Sequence, residues 1–149
     1  MKQLTYLKFL IKSTNEHGVH SPFVYQFLTE GIYAQKKNFR KEKPINRILK
    51  STEKYFEINS GHNTATEYKQ IKQINNLEDY NSNSLDQLIS EINNDEIIFI
   101  SRPYKSKKQF EHWSYLSNSN LINVSIDFYY VGLLFKREEQ RKEHFTLRI

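Results

Sequence analysis

The sequence predicts a single α/β domain, and three features of the chain favour that class. Its length of 149 residues is typical of one domain. The continuous apolar run at residues 97–100 is typical of a strand covered on both faces. Segments on either side of this run carry apolar residues at helical spacing. Helices and strands are therefore expected to alternate along the chain.

The first 43 residues predict a helical N-terminal extension. An amphipathic opening helix with a lysine-rich outer face is indicated by apolar residues at helical spacing: Leu4, Leu7, Leu10 and Ile11. Ser21 is a good N-cap and Pro22 suits the first position of a second helix, which we expect Gly31 to end. The basic run at 36–43 is expected to be a solvated connector, with an anion-binding patch as the alternative.

Residues 44–149 predict the α/β core. A third helix follows Pro44 and stops before a β-prone run at 55–58, the first strand candidate. Weak helical character continues over 62–74, and the Asn- and Ser-rich stretch at 75–84 is predicted to be a loop. Ser84 can cap a helix that precedes the strand at 97–100, which we expect to be central in the sheet.

The C-terminal part of the core predicts a further helix and an antiparallel strand pair. Phe110, Trp113 and Leu116 share one helical face. The alternating residues of 124–130 and the apolar run at 133–135 are separated by a very tight turn, which favours an antiparallel pair. Alternation at 145–149 adds a possible edge strand.

Composition excludes several classes of protein. The chain has no Cys, so it has no disulfide, thiolate metal site or cysteine nucleophile. No stretch approaches the ~20 apolar residues of a membrane span, and the first 12 residues do not resemble a signal peptide. We therefore expect a cytoplasmic protein without membrane contact. The net charge of +5 permits contact with polyanions.

Two strings near the start and three near the end resemble those of one bacterial protein family. They are YLKFL at 6–10, NEHGVHSPFV at 15–24, VGLLF at 131–135, REEQ at 137–140 and KEHFTLRI at 142–149. At these positions the chain is similar to class I S-adenosylmethionine-dependent methyltransferases of the kind found in Bacteroidetes. The resemblance implies a reduced Rossmann-like, three-layer methyltransferase-type domain over 1–149. It also implies N-terminal helices, about four or five strands and a C-terminal antiparallel strand pair at the sheet edge.

The same resemblance implies a cofactor site for S-adenosylmethionine. The string FEINSG at 56–61 is similar to the family's first strand and glycine-rich turn, where main-chain N–H groups approach the cofactor. It assigns Glu57, Asn59 and Gly61 to cofactor binding. Glu78 lies about 20 residues beyond Glu57, where an acidic residue is expected to hold the ribose.

Three departures from the family weaken this site. Gly61 stands alone in the turn, Ser101 and Arg102 occupy positions where the family typically has paired aspartates, and the chain is short by two or more strand–helix units. We therefore expect a degenerate cofactor site in a protein that acts as a binding or scaffolding module. A small residual methyltransferase is the enzymatic form of the same hypothesis. Loss of strand–helix units also exposes sheet edges, so a homo-oligomer or a protein partner is expected.

A second hypothesis from a different class is a basic nucleic-acid-binding module. It rests on cations and tyrosines that could form a surface for single strands: Arg102, Tyr104, Lys105, Lys107, Tyr129 and Tyr130. The alternative is that these tyrosines pack within the sheet. His17 and His20 could supply two metal ligands, but no carboxylate has a matching spacing, so backbone hydrogen bonding is favoured and no metal site is predicted.

Overall fold

The computed structural model describes residues 2–58 and 68–149, and within them it confirms the α/β class. The described helices are α1 (Lys2–Lys12), α2 (Pro22–Gln26), α3 (Pro44–Tyr55), α4 (Ser82–Glu91) and α5 (Lys107–Ser117). The described strands are β1 (Gln70–Ile74), β2 (Glu96–Ser101), β3 (Val124–Asp127), β4 (Val131–Phe135) and β5 (Glu143–Thr146). These strands form one open mixed sheet in the order β1-β2-β4-β3-β5.

The antiparallel strand pair lies inside the described sheet rather than at its edge. β4 pairs antiparallel with both β2 and β3, whereas β1 is parallel to β2 and β5 is parallel to β3. β4 is therefore the middle strand, and the edge position predicted for the pair is wrong. Every residue of β2, β3 and β4 is buried, so the predicted burial of the strand at 97–100 is confirmed.

The core has two parts, one on each face of the sheet. Ile97 and Phe99 of β2 pack with Phe27, which directly follows α2, and with Ile48 of α3. The alternate residues of β2, among them Ile98, pack instead against α4 and α5. Since successive side chains of a strand point to opposite faces, this division places helices on both sides of the sheet.

The strand predicted at 55–58 is wrong, because α3 continues to Tyr55 and a turn follows. The Tyr55 ring packs 5.4 Å from Phe27, and the Phe56 ring packs 5.3 Å from the same residue. These contacts extend the helical side of the core into the β-prone run. Glu57 then takes a left-handed conformation with φ of 54°, which ends the helical path.

Two further boundaries differ from the prediction. β1 occupies residues predicted as weak helix, because pairing with β2 in register overrides a local pattern that is mostly polar. α4 begins at Ser82, with Asn81 as the N-cap and the Ser84 side chain completing a capping box.

Gly31 does not end the second helical segment as predicted. Beyond α2 the chain stays helical through Phe27–Tyr33, where the helix has wider turns than an α-helix. A Cβ at Gly31 would lie 3.0 Å from the rings of both Phe27 and Tyr55. Gly31 therefore permits close packing between this segment and α3.

Helix α1 is confirmed, but its apolar stripe faces solvent. Leu4, Leu7 and Ile11 are 58%, 54% and 78% exposed, whereas Phe9 is 4% exposed. The outer face is therefore apolar as well as basic, contrary to the prediction. Aromatic contacts of Phe9 with residues beyond β2 and β3 determine which side of α1 packs inward.

Membrane-spanning and metal-binding features were examined over the described ranges. No helix there has both the length and the apolar character required to cross a bilayer. Within the same ranges no cluster of three or more His, Asp or Glu residues could hold a metal ion. His17 and His20 are both exposed, and the His17 Nε2 atom lies 3.6 Å from the Glu16 carboxylate.

Replacing Gly132 with Ala should destabilise the protein by about 1–3 kcal/mol, because it overpacks the core. A Cβ at this position of β4 would lie 2.5 Å from the Trp113 ring. Urea unfolding of the wild type and the Gly132→Ala variant measures the difference.

The Trp113→Leu variant provides the matched comparison. It removes the ring, so Gly132→Ala should be less destabilising in that background than in the wild type. Additive effects of the two substitutions would contradict the proposed clash.

Candidate basic–aromatic ligand site

A cleft of about 170 Å³ lies beyond the carboxyl ends of β2 and β3. We call it the basic–aromatic cleft, and it is lined by Arg102, Tyr104, Lys105, Tyr129 and Tyr130. Arg102 directly follows β2, and the two adjacent tyrosines form the turn between β3 and β4. Ligands of open α/β sheets bind at such strand ends.

Two loops with unusual backbone conformations build the cleft. Arg102 has φ of 52° and Tyr129 has φ of 69°, values that residues other than glycine adopt infrequently. The Arg102 N–H donates to the Tyr130 carbonyl at 2.8 Å, and the Tyr129 N–H donates to Asp127 Oδ1 at 2.8 Å. These bonds join the two loops and hold both left-handed residues in place. Such conformations cluster at functional sites.

An aromatic stack forms the wall of the cleft. The Tyr104 ring lies between Phe110 and Tyr129, with centroid distances of 4.9 Å and 4.8 Å and near-parallel planes. Tyr6 and Tyr130 meet Tyr129 edge-on, at 4.8 Å and 5.2 Å. Phe110 is 39% exposed and Tyr130 is 36% exposed. The assembly thus ends in aromatic surface that a flat ligand can reach.

The stack is anchored by the buried carboxylate of Asp127. The Tyr104 hydroxyl donates to Asp127 Oδ2 at 2.5 Å, and the Trp113 side chain also hydrogen-bonds to this carboxylate. Asp127 is 2% exposed. Burial raises the pKa of Asp127, although the bonds from Tyr104, Tyr129 and Trp113 act to lower it. Burial and the Asp127 charge raise the pKa of Tyr104, so its phenol keeps its proton at neutral pH.

The cations of the cleft differ in how they are paired. Arg102 is exposed and forms no ion pair with the described residues. The Lys105 Nζ atom lies 3.6 Å from Glu78 Oε2. Lys107, which was predicted with this group, is outside the cleft lining, and its ammonium lies 3.8 Å from Glu111. Five of the six residues predicted for a nucleic-acid surface therefore line one cleft.

The residues predicted to bind the cofactor do not come together in the described ranges. Asn59 and Gly61 lie outside the residues that the structure describes. Glu57 lies in the turn after α3 rather than at the end of a strand. Glu78 follows β1, a strand that the sequence did not predict, and its carboxylate accepts the Ser106 hydroxyl and lies beside Lys105. This carboxylate is engaged by side chains where a ribose anchor was expected.

Sequence reasoning missed three contributors to the site. The alternating pattern at 124–130 does not mark Asp127 as a buried hydrogen-bond acceptor, and Phe110 is predicted only as part of a helical face that it shares with Trp113 and Leu116. Tyr6 was not singled out except within a family string. An acidic residue placed directly before a tight aromatic turn was the available signal for Asp127. No local signal marks Tyr6, because it meets Tyr129 only through the fold.

The Asp127→Asn variant tests the buried carboxylate. Because the pKa of Asp127 in the folded protein is raised above its ordinary value of 3.8, the folded state binds the proton more tightly than the unfolded state. The contribution of Asp127 to stability should therefore fall as the pH rises above 3.8. Urea unfolding of the wild type and Asp127→Asn at several pH values above 3.8 measures this effect. The free energy of unfolding of the wild type, relative to that of the variant, should decrease as the pH rises. A difference that grows with pH would contradict the raised pKa.

Comparison with known proteins identified no relative of this chain. No protein-family model, no curated protein and no solved structure matched the chain. The assignment of the cleft therefore rests on its own geometry, and the methyltransferase resemblance rests on the strings quoted from the sequence.

Proposed function

We propose that this protein is a binding module that holds single-stranded nucleic acid in the basic–aromatic cleft. One observation carries the proposal: Arg102 and Lys105 lie beside a stack of rings that ends in exposed aromatic surface. Proteins that bind single strands combine cations for the phosphates with aromatic rings for the bases.

The aromatic half of the proposal follows from which rings are accessible. Phe110 and Tyr130 are more than a third exposed, and a base stacked on either would extend rings that already contact each other. Stacking is worth about 1–3 kcal/mol per base. The Tyr104 hydroxyl is bound by Asp127, so Tyr104 supports the platform rather than reading a base edge.

The basic half follows from the position of Arg102. A guanidinium offers planar, multiple donors that suit a phosphate, and this one has no competing ion pair among the described residues. The family resemblance places paired aspartates at this strand end, and carboxylates there would repel phosphate. Exposed Lys107 and Lys108 at the start of α5 extend the positive surface.

We further propose that the domain is a shortened member of the methyltransferase family whose cofactor site has degenerated. The mixed five-stranded sheet is consistent with the four or five strands that the resemblance implies. β3 and β4 form the C-terminal antiparallel pair that the resemblance implies, although the pair lies inside the sheet and not at its edge. S-adenosylmethionine is the expected cofactor only if the site is retained, and two of its predicted residues, Asn59 and Gly61, lie outside the described residues. A homo-oligomer or a protein partner stays a prediction.

Substitution of residues that line the cleft should weaken binding of a fluorescein-labelled single strand of about 12 nucleotides. At about 50 mM salt, Tyr130→Ala should raise Kd about fivefold or more because one stacking ring is lost. Arg102→Gln should weaken binding as well, and it should make the slope of log K against log salt shallower by about 0.7, because one phosphate contact is lost. Fluorescence anisotropy with RNA and with DNA measures both quantities.

Lys54→Gln is the matched control for charge. Lys54 is an exposed residue near the end of α3. Phe56, two residues further on, contacts Phe135, and Phe135 ends β4 on the side away from the cleft. Lys54 is therefore distant from the proposed binding surface. This variant should bind as the wild type does. Absence of RNA and DNA binding at low salt, or equal weakening by Lys54→Gln and Arg102→Gln, would contradict the proposed function.

Calorimetry tests the cofactor part of the proposal separately. We expect no saturable heat with S-adenosylmethionine or S-adenosylhomocysteine at millimolar concentration, because the Glu78 carboxylate is engaged by Ser106 and Lys105. Stoichiometric binding of either ligand would contradict the degenerate site and favour a residual methyltransferase instead.

A further inference from the structure

We propose that Glu78 is an internal competitor that masks Lys105 and thereby weakens phosphate binding in the basic–aromatic cleft. The inference rests on the proposed function of that cleft. Lys105 and Arg102 are the cations that line it, and Glu78 holds one of them. Before a phosphate can use Lys105, the ammonium must leave the carboxylate.

The contacts of Glu78 make it an effective competitor. Its Oε2 atom lies 3.6 Å from the Lys105 ammonium, and its Oε1 atom accepts the Ser106 hydroxyl. The side chains of Glu78 and Lys105 are 30% and 41% exposed. Water therefore screens part of the attraction between them, and the bond from Ser106 adds to the contact that holds the carboxylate near the ammonium. The bond from Ser106, together with Lys105, lowers the pKa of Glu78, so its charge persists at neutral pH.

Glu78 cannot easily leave Lys105, because its short helical turn is fastened to α5. The Leu77 N–H donates to Gln109 Oε1 at 2.8 Å, and His112 Nδ1 donates to the Leu77 carbonyl at 2.7 Å. The Gln109 amide, itself fully buried, also donates to the Ser101 carbonyl at the end of β2 at 3.1 Å. Since the backbone of this turn is held and Ser106 binds the carboxylate, we expect the flexible Lys105 side chain to move when a phosphate binds.

Masking has a defined electrostatic consequence for the cleft. With Glu78 ionised, the charge of Lys105 is offset by the carboxylate beside it, whereas Arg102 has no such partner among the described residues. Loss of the Glu78 charge should let Lys105 displace one more counterion when a single strand binds. For single strands each such contact changes the slope of log K against log salt by about 0.7.

The test is the Glu78→Gln variant in the anisotropy experiment, with the same fluorescein-labelled single strands. Gln keeps an oxygen that can accept the Ser106 hydroxyl, so the fold should be retained, and thermal unfolding checks this. We expect binding about two- to fivefold tighter than wild type at about 50 mM salt. The salt slope should be steeper by about 0.7.

Asp79→Asn is the matched control, because it makes the same charge change one residue away. Asp79 accepts from the Asn76 amide at 3.0 Å instead of pairing with Lys105. It should leave the affinity and the slope near those of the wild type. In a Lys105→Gln background, Glu78→Gln should have no further effect on the slope, which separates masking from a general change in net charge.

The outcomes distinguish the two proposals. If the wild type binds single strands but Glu78→Gln behaves like Asp79→Asn, the masking role of Glu78 is overturned and the proposed function stands. The same holds if the Glu78→Gln effect persists without Lys105. If neither the wild type nor Glu78→Gln binds either single strand at low salt, both proposals are overturned.

Discussion

The buried carboxylate of Asp127 connects the sheet of this protein to its candidate site. Asp127 ends β3, and its oxygens accept bonds from the Tyr129 main chain and the Tyr104 hydroxyl. A buried charge is unfavourable unless hydrogen bonds satisfy it, so these partners have little freedom to move. The rings of Tyr104 and Tyr129 are therefore held in a stack, with centroids 4.8 Å apart. Phe9 of α1 packs against both rings.

The fold could be predicted best where local pattern and tertiary packing agree. The apolar run at 97–100 and the helical face around Trp113 meet in one core, and both elements form where the sequence predicts them. At 55–58 the two disagree: β-prone residues follow a helix whose packing against Phe27 extends through Tyr55 and Phe56. β1 is the opposite case, because its polar residues form a strand through pairing with β2.

The same distinction explains what could be predicted of the site. Basic and aromatic residue types near 102–107 and 129–130 indicate a surface by composition, and five of those six residues line the cleft. The roles of Phe110 and Tyr6 depend on contacts between distant segments, which no spacing rule encodes. The orientation of α1 is hidden for a related reason. The Leu and Ile residues of α1 have the clearer helical spacing, yet Phe9 is the residue that is buried, through its contacts with Tyr104 and Tyr129.

The two residues at the end of β2 have separate tasks, one in the packing of the core and one at the surface. Ser101 at the end of β2 is buried and tied to Asn75, and its carbonyl accepts the Gln109 amide. Arg102 directly after it is exposed. The first position therefore serves the core and the second serves the surface. A buried hydroxyl and an exposed guanidinium at this strand end provide a donor for anions and none of the carboxylate oxygens that suit cations, so the strand end is chemically suited to holding phosphate.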